Sequence, residues 1–68
     1  MPTPWKMADG TTLACRDKLA VLAENHAELK QTMQDAFEDA VLMGLDEAAY
    51  RAALVALVED LRTPHRAA

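Results

Sequence analysis

The chain holds a single cysteine and two glycines in 68 residues, with one each of tryptophan, tyrosine and phenylalanine. One cysteine cannot close an intrachain disulfide, and with two histidines it makes no zinc-binding spacing such as C-x2-C. A chain this short buries only about 60% of its unfolded surface, so its core is marginal. Scaffolds of this size lean on disulfides, a metal, close helix packing or oligomerisation. Helix packing and oligomerisation are what remain here. Scarce aromatics, with Ala, Leu, Val and Met supplying most of the apolar content, suit close helix contacts rather than a large core.

Long apolar runs and excess positive charge are missing too. No run approaches the ~18 residues of a membrane span. The run from Met1 to Met7 (Met-Pro-Thr-Pro-Trp-Lys-Met) lacks the apolar core of a signal peptide. Seven basic residues stand against eleven acidic ones, for a net charge of −4. Nucleic-acid binding rests on phosphate neutralisation by Lys and Arg, and an anionic membrane surface attracts the same side chains. Neither partner is expected. A lone thiol fits a reducing compartment, so a cytoplasmic location is expected. There is no Gly-rich phosphate loop, nucleophile elbow or HExxH, and no acid–base pair beside a nucleophile. The expectation is a protein that is not an enzyme and carries no cofactor.

What is present is an unbroken alternation of four- and three-residue steps. Cys15, Leu19, Leu22, His26, Leu29, Met33, Ala36, Ala40 and Met43 form a heptad stripe, the pattern that lays one helix along another. From Thr12 to Met43 there is no Pro or Gly, and good helix formers dominate. The pattern predicts helix 1 over 12–43, capped by Thr11 or Thr12, with a break at Asn25-His26 as the main alternative. Before it, 1–11 reads as an N-terminal arm or a short hairpin turning at Asp9-Gly10. Gly44 reads as a left-handed C-terminal cap, Asp46 as the N-cap of a second helix over 46–62, and Leu45 with Tyr50 as a hydrophobic staple. Thr63-Pro64 stops that helix, leaving 63–68 as a tail. Tyr50, Leu54, Leu57, Val58 and Leu61 share its apolar face.

The expected fold is therefore all-α. It is a single small domain over 1–68, an antiparallel helical hairpin of a long and a shorter helix behind a short arm. Helix 1 spans ~45 Å and helix 2 only ~24 Å. Helix 2 can then cover roughly Leu29 to Met43, leaving Leu19, Leu22 and His26 without an internal partner. Such a patch is unusual on a monomer. Self-association answers it, because every copy carries the same problem, and a dimer of hairpins is a four-helix bundle. Arg16 and Lys18 near the start of helix 1, against Asp35, Glu38 and Asp39 near its end, favour antiparallel pairing of two copies. The expected interface comprises Leu19, Leu22, His26, Leu29 and Met33.

Three groups invite a chemical reading. His26, in mid-stripe, would be a pH-responsive or metal-binding residue at a dimer interface; a satisfied interface histidine is the plainer reading, and no metal set is assigned. Cys15 lies in the first turn of helix 1 next to Arg16, where dipole and charge favour the thiolate, which makes it a candidate redox thiol. A small apolar stripe residue is its plainer reading. Asp35, Glu38 and Asp39, with Glu59 and Asp60, could form an acidic docking patch or simply a solubilising surface.

These residues point to a small accessory, adaptor or regulatory protein acting through helix-mediated protein–protein contact, as a homodimer and with room for a larger protein partner. The alternatives are an acidic inhibitor or nucleic-acid mimic that occupies a basic protein site, and a metal- or cofactor-binding bundle assembled across a dimer around His26.

Overall fold

The computed structural model describes residues 5–64. Two helices dominate, α1 (Arg16–Leu42) and α2 (Glu47–Glu59). Among the described residues no strand forms beyond a single antiparallel bridge between Lys6 and Thr12. The chain compacts into two units, Met1–Gln31 and Thr32–Ala68, and α1 contributes to both. It runs unbroken through Asn25 and His26. Among the described residues no helix is long and apolar enough to cross a membrane. Pro2, Pro4 and the end of the tail, 65–68, lie outside the described residues.

In the first unit, α1 begins at Arg16, four residues beyond the expected Thr12. The threonines are used elsewhere. The Met7 N–H donates to the Thr11 carbonyl at 2.7 Å and the Leu13 N–H to the Trp5 carbonyl at 2.7 Å, closing a hairpin turn. Asp9 holds the turn, accepting from the Thr11 N–H at 3.0 Å and the Thr11 hydroxyl at 2.6 Å. Gly10 supplies the φ of +92° that the turn requires and that a side chain would resist. The bridge keeps the chain extended through Thr12, so neither threonine stands at the start of the helix. The cap passes to Cys15, whose carbonyl accepts the first helical bond from the Leu19 N–H at 2.9 Å.

In the second unit the junction is built from two caps, at Gly44 and Asp46. The Gly44 N–H donates to the Val41 carbonyl and the Leu45 N–H to the Ala40 carbonyl, both at 3.0 Å. These two bonds are the paired closure of a Schellman cap, and Gly44 has the positive φ, +95°, that the cap needs. Asp46 sits in extended backbone, and its carboxylate accepts from the Ala49 N–H at 2.8 Å. The Tyr50 N–H donates to the Asp46 carbonyl at 3.0 Å, starting α2. The chain reverses here, so Phe37 of α1 meets Tyr50 of α2 with ring centroids 6.3 Å apart, in the manner of a helical hairpin. The Arg51 guanidinium lies 4.6 Å from the Phe37 centroid, worth about 0.5–1 kcal/mol at an exposed site. Ala40 is 1% exposed and is the one fully buried side chain among the described residues. Ala36, Phe37, Val41, Tyr50 and Leu54 are half-buried around it.

The second helix is shorter than expected, ending at Glu59 rather than Arg62. Glu59 and Asp60 put negative charge at the negative end of the helix dipole, and no basic residue stands in the last turn. The Leu61 N–H still reaches the Val58 carbonyl at 3.2 Å, so the end tightens before it releases.

Gly44 has nothing within 4 Å of the position a Cβ would take, so any penalty there comes from backbone conformation rather than crowding. Gly44→Val should destabilise by at least ~1 kcal/mol through left-handed strain. Asp46→Ala should cost about 1 kcal/mol through loss of the cap. Thermal melts of the two variants check both values, and unchanged midpoints would remove the junction from the account.

Candidate functional site

The candidate residues divide between the two units, and each group follows from its own local structure.

In the first unit the arm supplies a partner for part of the stripe. Trp5 stands edge-on to His26, with centroids 5.9 Å apart and ring planes at 76°. That geometry sets a ring edge against a π face. Trp5, Leu13, Leu19 and Leu22 are all half-buried. The distribution of cover thus differs from the expectation drawn from helix lengths. Leu19 and Leu22 are partly sheltered, and His26 is exposed but has an aromatic neighbour. Leu29, expected beneath the second helix, is 61% exposed. The reach of the arm depends on a turn stabilised by Asp9 and Thr11. Beside it an open apolar depression of about 430 Å³ is lined by Met7, Leu13, Val21 and Leu22, with Asp17 and Lys18 at its edge.

Cys15 is exposed at the N-terminus of α1. The Lys18 N–H, directed at its sulfur, lowers the thiol pKa; desolvation opposes this, and the Asp17 N–H and the Lys18 charge add to the lowering. The neighbouring charge that acts is Lys18, one turn on, rather than the adjacent Arg16. Asp9 is also held below the ordinary carboxylate range, first by the Thr11 hydroxyl and then by the Thr11 N–H.

In the second unit Met33 is 41% exposed although it lies on the face of α1 that carries Ala36 and Ala40. Asp35, Glu38 and Asp39 are exposed, and Glu38 accepts from the Gln34 amide at 2.8 Å. Gln34, Phe37, Glu38, Val41, Leu42 and Glu47 line a second open depression of about 310 Å³. At the junction, Gly44 and Asp46 hold the backbone, Tyr50 turns to Phe37, and Leu45 stands half out in solvent. Among the described residues no three His, Cys, Asp or Glu side chains come together as a metal site would require.

No known protein family, curated protein or solved structure matches the chain.

The lowered thiol pKa has a defined sign. The folded value lies below the unfolded one, so the thiolate's stabilisation of the helix start is present above the unfolded pKa and lost as pH falls through the folded value. Cys15 in the native protein should therefore reach half-maximal alkylation by iodoacetamide at lower pH than in urea. Coincident pH profiles would show that the cap does not hold the sulfur in solution.

Proposed function

We propose that this chain is a small, non-enzymatic accessory, adaptor or regulatory protein that works through helix-mediated contact with other protein chains, beginning with a second copy of itself. The observation that carries this reading is the mismatch between apolar content and burial. Half of the residues are hydrophobic (51%), yet Ala40 alone is fully buried among those described. Large apolar side chains stand in solvent along both helices, Leu29 and Met33 on α1 and Leu57 and Val58 on α2. Burying such a side chain is worth about 1.5–3 kcal/mol, and a few of them match the whole stability of a small domain.

In this reading two hairpins form an antiparallel four-helix bundle of twofold symmetry. Charge along α1 supports that orientation. Arg16 and Lys18 near its start would lie beside Asp35, Glu38 and Asp39 near the end of a partner's helix. The exposed thiol of Cys15 suits a reducing compartment such as the cytosol. Those same exposed carboxylates support a second reading, an acidic inhibitor or nucleic-acid mimic docked on a basic protein site. Its signature is affinity for a basic protein that falls steeply with salt.

Light scattering on the purified chain at micromolar concentration tests the first reading. The chain mass is 7.5 kDa, and the expected result is about twice that. A monomer throughout would remove self-association and leave only contact with a different protein.

A further inference from the structure

We infer that the Asp9–Gly10 peptide is a latent modification site: it converts to isoaspartate when the hairpin turn opens, and the conversion then keeps the arm off α1. This concerns the first unit alone and does not depend on self-association.

An aspartate followed by glycine is especially prone to this reaction, because glycine has no side chain to hinder ring closure. The Gly10 nitrogen attacks the side-chain carbonyl carbon of Asp9 and forms a C–N bond. One carboxyl oxygen departs as water, taking the amide proton and one proton from solvent. Water then opens the resulting five-membered succinimide at the former backbone carbonyl. The proton returns to solvent, and the chain continues through the Cβ and Cγ of Asp9. The water lost is regained, so mass and charge are unchanged and no other reactant is needed.

While closed, the turn opposes each requirement of that reaction. Asp9 and Gly10 are exposed, and nothing lies within 4 Å of the position a Gly10 Cβ would take. Solvent therefore reaches the bond, and what protects it is hydrogen bonding. The attacking nitrogen must lose its proton, but the Gly10 N–H donates to the Met7 carbonyl at 2.9 Å. The attacked carboxyl must turn toward that nitrogen. Its Oδ1 is held instead by the Thr11 N–H at 3.0 Å and the Thr11 hydroxyl at 2.6 Å. The same two bonds keep the Asp9 pKa low, so the group stays ionised and is a poorer electrophile than the acid. Conversion thus runs through the opened turn. The product cannot rebuild it. One extra methylene in the main chain shifts the register of the Met7–Thr11 and Trp5–Leu13 hydrogen bonds that close the hairpin. Trp5 is then no longer delivered to His26, whose ring lies 5.9 Å away in the closed arm.

The test incubates the full chain at neutral pH and physiological temperature, in buffer and in urea. Isoaspartate at residue 9 is quantified by chromatography of the digest against a synthetic isoaspartyl peptide. Thr11→Val, which removes the hydroxyl and keeps the N–H, is run beside the wild type, with helix content checked by circular dichroism. Trp5 is the only tryptophan of the chain, so the emission of the purified isomerised chain reports the arm. The wild type should convert at least about fivefold more slowly in buffer than in urea, because the turn's hydrogen bonds must open first. Thr11→Val in buffer should convert at least about twofold faster than the wild type. The isomerised chain should show Trp5 emission shifted to the red of the unmodified chain. Equal wild-type rates in buffer and urea overturn the protection by the turn, and no isoaspartate even in urea overturns the site. A Thr11→Val chain that converts no faster overturns the Asp9–Thr11 lock, and unshifted Trp5 emission overturns release of the arm.

Discussion

Ala40 does two things at once in the second unit, and the hairpin depends on both. Its methyl group is the buried centre of the seam between α1 and α2. Its carbonyl accepts the Leu45 N–H that closes the cap and reverses the chain. A small side chain at that point lets the helix backbones approach, and the approach brings Phe37, Tyr50 and Arg51 into contact. A larger residue would push the helices apart where the turn fixes their separation. Ala40 also sets a limit, since a methyl group buries little area and the seam around it is only half-buried. The fold is thus directed mainly by backbone hydrogen bonds and caps, with too little hydrophobic burial of its own to match its apolar content.

The first unit meets the same shortage by a different route. A bridge at Lys6 and Thr12, tied by Asp9, brings Trp5 back to His26. One aromatic ring replaces the second helix as partial cover for the N-terminal part of the stripe. The placement of Cys15 follows from that arrangement, because a hairpin that extends through Thr12 leaves later residues to start the helix. An exposed thiolate-favouring cap is a consequence of the turn. In both units the local chemistry is well satisfied, while large apolar side chains such as Leu29 and Leu57 remain in water.

The parts legible beforehand are those written in short-range chemistry. Gly44 and Asp46 announce the junction because one needs a positive φ and the other a side-chain oxygen at a helix start, and both act as expected. The continuous Pro- and Gly-free stretch announces α1, and Asp9-Gly10 announces the turn. Helix ends were harder to read. Thr11 and Thr12 can either cap a helix or extend a hairpin, and sequence alone does not rank the two. The early stop of α2 follows from Glu59 and Asp60 at the wrong end of the dipole, which ends the helix before Pro64 would. Least legible was which stripe residues stay exposed. Period tells that Leu22 and Leu29 share a face, but it does not tell that Leu22 is half-buried while Leu29 is 61% exposed.

A fold whose core is completed by a second chain should have a stability that depends on how much of that chain is present. The most direct measurement is the thermal midpoint by circular dichroism at two concentrations about a hundredfold apart, roughly 5 and 500 µM. That interval is worth about 2.7 kcal/mol to a dimer, and the predicted result is a midpoint higher by roughly 5–10 °C in the concentrated sample. Superimposable melts across the interval would mean that the single chain is complete as it stands, and would contradict the account.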